Sequence, residues 1–413
     1  MIDFDILVVG GGMVGTCAAA LLAEEPAFAD AKIALLEPHA PTVAPDDHTI
    51  DLRVSVVSRA SERILRHAQA WDRLPSQHCA AYEAMTVWDA SSKHDSASGL
   101  HFTAAETGEP NLGYIIENRR LQWALFETPA LRRRVTVLGG SLQGLEFGDP
   151  ARVTLADGRT IRARLVIGAD GAQSKSRELS GIQTAGWSYE QAALVAHVQP
   201  MLPHRRTAWQ RFTADGPVAF LPLADGRCSI VWTNPTQRAD ALVNMSETEF
   251  ARELGVASDH VLGELTVTTP RVRFPLQLAH AREYTKPRFA LIGDAAHAVH
   301  PLAGQGVNLG FMDCAALVET LAAARRAGSS LDALGEARVL RRYERWRKSE
   351  NLFALGLIDG LNKLFSNDSS TLGFARRLGF AAIERTPLAK RFFILRALGL
   401  AGERPAMARS LRS

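Results

Sequence analysis

Residues 5–15 read DILVVGGGMVG, and the order of residue types in this stretch decides the fold. Asp5 to Val9 is a short aliphatic and β-branched run, glycines follow, and Met13 to Glu24 is rich in Ala and Leu, which predicts strand, tight turn and helix. Lys32 to Glu37, KIALLE, predicts a second strand, so the unit is βαβ with a parallel sheet. Gly10, Gly12 and Gly15 form a G-x-G-x-x-G spacing between the first strand and helix. Glycine there permits the tight turn, lets backbone approach a pyrophosphate and lets helix pack on strand, while the helix amino terminus faces the phosphates. Glu37 lies about 20 residues further on, where a carboxylate accepts hydrogen bonds from ribose hydroxyls. These residues alone do not distinguish FAD from NAD.

Two later stretches carry that distinction. Residues 165–177, LVIGADGAQSKSR, predict an apolar strand ending in Asp170-Gly171, with Ser174 and Arg177 on the following turn. Residues 289–310, FALIGDAAHAVHPLAGQGVNLG, predict a strand ending in Gly293-Asp294, a loop through Pro301, and glycines opening a helix at about Val307. Between the two, short β-rich segments such as Ala193 to Val198, Pro217 to Pro222 and Cys228 to Thr233 alternate with turn residues, as in an antiparallel sheet. The expected class is α/β plus an inserted β-rich domain. Residues 1–75, 106–180 and 275–365 form a discontinuous nucleotide-binding domain, residues 76–105 and 181–274 a substrate domain, and residues 366–413 a carboxy-terminal helical segment broken at Pro387 and Pro405.

Together these motifs resemble the FAD-dependent aromatic hydroxylases, and within them the ubiquinone-biosynthesis hydroxylases, over essentially the whole chain. The resemblance implies a Rossmann-like FAD-binding fold of the aromatic hydroxylase type. It places Asp294 on flavin-side ribitol or ribose hydroxyls, the loop through Pro301, Gly304, Gln305 and Gly306 beside the isoalloxazine, and Asp170 and Gly171 near the FAD pyrophosphate. Arg53 in DLRVSVVSRAS matches the family arginine after the second strand, and Asn118 in IIENRRLQWAL falls at a flavin-contacting position. Backbone N–H groups from Gly304 to Asn308 are suited to the negative charge that a reduced flavin carries at its pyrimidine edge. From the residues alone, a helix cap is the alternative role for Asp294 and for Asn118, and a surface ion pair the alternative for Arg53. His297 and His300 are the candidate catalytic side chains, with a packed structural role as the alternative. One departure is HAQAWDRL at residues 67–74, where the family commonly has glycine shortly before the tryptophan at the position of Trp71.

Composition sets the outer limits. The chain has 413 residues, 46% hydrophobic and 22% charged, with 47 Lys and Arg against 44 Asp and Glu, so no whole-chain field argues for nucleic-acid binding. Cys17, Cys79, Cys228 and Cys314 have neither zinc-site nor disulfide spacing, and no metal-ligand constellation is expected. A reducing cytoplasm fits, with any membrane contact peripheral, because no apolar run of about 18 residues is present.

The implied reaction is FAD-dependent hydroxylation, through a flavin hydroperoxide, of the aromatic ring of a hydrophobic polyprenyl phenol or quinone precursor, with NAD(P)H or another reductant as electron donor. Trp209, Phe212, Phe220, Pro222 and Trp232 are candidates to wall the substrate pocket, with ordinary sheet core as the alternative. A flavin-dependent prenyl reductase and a non-catalytic flavin-bound scaffold subunit of a biosynthetic complex are the competing functions. Residues 376–398 carry Arg376, Arg377, Arg385, Lys390, Arg391 and Arg396 against Glu384. Leu388, Phe392, Leu395 and Leu398 fit one helical face beyond Pro387, which suggests docking on a membrane surface or a quinone-biosynthesis complex.

Overall fold

The computed structural model describes residues 2–90, 99–298, 305–365, 384 and 386–409. Strand β1 (Phe4–Val9) leads through the glycine turn into helix α1 (Met13–Glu24) and returns in strand β2 (Ile33–Leu36). β1 lies between β2 and the strand Thr160–Gly168, parallel to both, and the parallel order extends to Val135–Leu138 on one side and Phe289–Leu291 on the other. Both faces of such a sheet are covered, so its strands read as near-continuous apolar runs. Ile6, Leu7, Val8, Leu35, Val166, Ile167 and Leu291 are all fully buried or nearly so.

The second large sheet has nine strands, ordered from His297–Ala298 through Val272–Ala281, Thr184–Pro200, Cys228–Pro235, Gly216–Pro222 and Thr207–Thr213 to Ala84–Asp89 and Leu100–Thr103, with Leu265–Val267 beside Thr184–Pro200. It is antiparallel except where Thr207–Thr213 runs parallel to Ala84–Asp89. Val272–Ala281 crosses the boundary expected at residue 275, because its pairing with Thr184–Pro200 continues to the register Thr184↔Ala281. A three-stranded sheet, Val54–Ser58, Gly113–Glu117 and Ala80–Tyr82, accompanies the two larger ones.

Strand alternation gives the nine-stranded sheet two unlike faces. Leu194, Val218, Phe220, Ile230 and Trp232 form a core with Leu242, Phe250 and Leu254 of the helices Thr236–Asn244 and Glu247–Ala257. Ala193, Val195, Ala219 and Val231 point the other way, toward the glycine turn. Of the expected wall residues, Phe220 and Trp232 are therefore core, Phe212 and Pro222 are also buried, and Trp209 packs partly buried against the same core while bordering the cleft.

The long helix Gln305–Arg326 packs on α1: a Cβ added at Gly310 would lie 2.6 Å from the Val14 side chain. Among the described residues Gly306–Arg326 alone is long and apolar enough to cross a membrane, but 72% of its most apolar window is buried inside the protein. Gln69 explains the departure before Trp71. Its φ is +57°, and the bonds Gln69 N→Arg66 O (2.9 Å) and Ala70 N→Leu65 O (2.9 Å) close the helix Arg59–His67 in a Schellman turn, whose left-handed position favours glycine.

The helix Pro387–Ala397 divides its apolar residues differently from the expected stripe. Ile394 and Leu398 pack on Ala104 and Leu112, while Leu388 (81% exposed) and Phe392 (46%) face outward. Lys390 pairs with Glu106 (2.7 Å) and Glu384 (2.8 Å), and Arg396 with Glu350 (2.8 Å), so these two cations are held within the chain. Arg376, Arg377 and Arg385 lie outside the described residues.

Candidate active site

The glycine turn is built for close approach. Gly10 has φ +101°, and a Cβ there would stand 2.6 Å from Ala169 O; a Cβ on Gly15 would fall on the Gly10 carbonyl. Both glycines are thus required by the chain's own packing. Gly12 is different, because a Cβ there meets nothing within 4 Å. It caps α1 and lines the cleft, so the open space over it is a cradle at a helix amino terminus, suited to phosphate. Gly11 N donates to Glu37 Oε2 (2.6 Å) and His39 N to Glu37 Oε1 (2.9 Å), which fixes the carboxylate at the end of β2 with further lone pairs available to hydroxyl donors. Gln122, not singled out from sequence, locks the turn by donating to Gly11 O (2.6 Å).

The second half of the site is the turn Gly293–Ala295, where Gly293 has φ +60°. Asp294 lines the cleft and has no hydrogen-bond partner among the described residues. Solvent reaches it through the cleft, yet protein encloses it on most sides. Burial raises its pKa against the pull of His297 and Arg53. Behind it stands Asp313, fully buried, accepting from Gly293 N (3.0 Å) and His297 Nε2 (2.5 Å) on one oxygen and from Arg347 Nε (2.8 Å) and Asn351 Nδ2 (3.1 Å) on the other. Burial alone would raise the Asp313 pKa, but His297 and Arg347 hold it down at about 2. The turn that presents Asp294 is thus clamped from behind by a buried anion. Sequence reasoning missed Asp313, Arg347 and Asn351; the available signal was the carboxylate of Asp313 within the apolar first half of the helix Gln305–Arg326.

The expected residues fall into two groups. Gly12, Arg53, Asn118, Gly171, Asp294 and Gly306 converge on one cleft of about 580 Å³. Arg53 is exposed there, its guanidinium 5.8 Å from the Phe274 ring centroid and without an ion pair among the described residues. Asn118 Oδ1 accepts from Ser55 Oγ (2.7 Å). The other group acts behind the surface. Asp170 accepts from Ser174 Oγ (2.5 Å), Ser176 Oγ (2.7 Å) and Ser176 N (2.8 Å), organising the start of the helix Lys175–Ser180, and Arg177 ties that turn to Ala295 O (2.9 Å). Asn308 Oδ1 accepts from Ser58 N (2.9 Å) and Ser61 Oγ (2.7 Å), and its amide donates to Val56 O (2.8 Å), so its side chain joins two elements. The ring of His297 is buried against Asp313 and lies outside the cleft lining. His300, Pro301, Gly304 and the side chain of Gln305 lie outside the described residues.

These residues fit FAD: an open phosphate cradle at Gly12, carboxylates at Glu37 and Asp294 for hydroxyl groups, and a cleft continuing to a second sheet. Residues 124–347 match the FAD binding domain family. The fold is shared with p-nitrophenol 4-monooxygenase from Pseudomonas putida (TM-score 0.75, 19% identity, 98% of this chain and 99% of that one). It is shared too with an FAD complex of an HpxO variant from Klebsiella pneumoniae (TM-score 0.73, 18% identity, 96% and 98%). The site and the domain match define the class as FAD-binding proteins. The chain is 40% identical over 400 residues to 3-demethoxyubiquinol 3-hydroxylase of Escherichia coli, covering 96% of this chain and 98% of that protein. It is 37% identical over 416 residues to ubiquinone hydroxylase UbiL of Rhodospirillum rubrum, covering 99% and 92%. The chain belongs to the FAD-dependent hydroxylases of ubiquinone biosynthesis.

Proposed function

We propose that this hydroxylase inserts one oxygen atom into the ring of a neutral, polyprenylated phenol or quinol on the route to ubiquinone, with a reduced nicotinamide or similar donor supplying electrons. The observation that carries this reading is the cleft itself. One end is formed by Gly12, Asp294 and Gly306, and the floor beyond them by the small apolar side chains Ala193, Val195, Ala219 and Val231. Bound FAD supplies the activation of dioxygen and the transfer of one of its atoms. The chain's own residues bind and orient: the amino end of α1 takes the pyrophosphate, Glu37 and Asp294 accept hydroxyl donors, and Arg53 brings positive charge to the cleft. The small-residue floor admits a flat ring and keeps it dry.

A substrate with a polyprenyl tail partitions into the bilayer, and the outward Leu388 and Phe392 with Arg391 on the helix Pro387–Ala397 support docking of this end on an anionic membrane surface. A deletion strain tests the ring reaction. It should lose ubiquinone and accumulate, by mass spectrometry, a precursor lacking one ring oxygen; normal ubiquinone, or a precursor with all its ring oxygens, would overturn the proposal.

A further inference from the structure

The floor of the cleft is apolar along one cross-strand row and then changes character. Val195, Val231 and Ala219 stand in register on neighbouring strands, and the next residue in the row, opposite Ala219, is Gln210. All four line the cleft. The residues flanking Gln210 face the other way. Arg211 donates to Val256 O (3.1 Å) and Ala257 O (3.1 Å) at the end of a covering helix, and Trp209 packs on the core beneath. Gln210 is 6% exposed, and its side-chain amide has no hydrogen bond among the described residues. This primary amide, left unpaired by its own chain, borders the cleft, so a ligand that fills the cleft and displaces water must hydrogen-bond it or leave it desolvated.

We propose that Gln210 orients the substrate: its amide hydrogen-bonds an oxygen substituent of the aromatic ring while the Ala219–Val231–Val195 row supports the ring face. This assignment rests on the cleft being the substrate site. An amide offers both donor and acceptor and no charge, so it can serve hydroxyl and methoxy groups alike on a neutral ring. Among the described residues, the charged side chains lining the cleft are Arg53 and Asp294.

The test uses the FAD-loaded enzyme and two soluble probes, 2-methoxy-6-prenylphenol and the oxygen-free prenylbenzene, with binding read by perturbation of the flavin absorbance spectrum. Gln210→Leu should weaken the phenol about five- to thirty-fold, the loss expected for one hydrogen bond in a dry site. It should leave prenylbenzene unchanged or bound more tightly, with FAD content and melting temperature as in wild type. Equal weakening of both probes, or weakening of neither, overturns the Gln210 assignment. Ala219→Phe separates that failure from failure of the cleft reading: it should block both probes, and if both still bind as in wild type, the ring does not lie on this sheet.

Discussion

Asp313→Asn should cost the protein about 3–5 kcal/mol, the range for leaving one member of a buried ion pair without its partner. The substitution keeps the shape of the side chain but removes the charge facing Arg347, whose side chain is 2% exposed, and it turns an NH2 group toward donors that an acceptor now serves. A second magnitude comes from titration. With the Asp313 pKa at about 2 against 3.8 for the free carboxyl, linkage assigns about 2 kcal/mol to its ionisation. That contribution is fully present above pH ~4 and is lost as the pH falls toward 2. The mutational loss exceeds it because the mutation also strands Arg347. Urea unfolding of flavin-free and FAD-loaded protein gives the loss, and equilibrium dialysis gives the FAD affinity. The affinity should fall at least about tenfold, because the turn carrying Asp294 hangs on Asp313 through Gly293 N and His297. Asp313→Asn combined with Arg347→Met should recover part of the stability, since no unpaired charge remains. Stability within about 0.5 kcal/mol of wild type in the single variant would refute the clamp.

Three further outcomes follow from the geometry. Gly12→Val should cost the flavin-free protein no more than about 1 kcal/mol, the loss of a good helix cap, because the added Cβ enters open space, while lowering flavin released per chain; Asp294→Ala should lower it too. Full flavin occupancy in both variants would remove the proposed binding site. Gln69→Gly should stabilise the protein by up to about 1 kcal/mol in thermal unfolding by relieving a left-handed non-glycine residue, and a clear destabilisation would show that the Gln69 side chain contributes contacts of its own. Leu388→Ser with Arg391→Glu should weaken co-sedimentation with anionic liposomes, more at low salt than at high, with flavin content unchanged; identical sedimentation would make this helix end structural.

The parallel βαβ unit was legible because glycine spacing, apolar runs and the terminal Glu37 are local signals, and Met13–Glu24 forms a helix with the predicted ends. The cleft wall was harder. Large aromatics such as Phe220 and Trp232 look like pocket residues in a sequence, but strand alternation sends them to the helix-covered face and leaves alanines and valines over the cleft. Which face of a strand meets which neighbour depends on contacts made far along the chain, and no short window encodes it. Asp170 and Asn308 were legible as motif members but not in their manner of action, since their side chains turn into the protein and hold turns and helices whose backbone borders the site. The Asp313 clamp joins residues spread from Gly293 to Asn351 and becomes visible only when helices have packed.

The most direct test of the central claim is the origin of the oxygen atom. Purified FAD-loaded protein, given a reductant and 2-methoxy-6-prenylphenol under oxygen-18 gas, should yield a ring-hydroxylated product carrying one labelled atom by mass spectrometry, with no product formed anaerobically. Label taken from water, or anaerobic turnover giving a saturated prenyl chain and an unchanged ring, would contradict the assignment as an aromatic-ring hydroxylase.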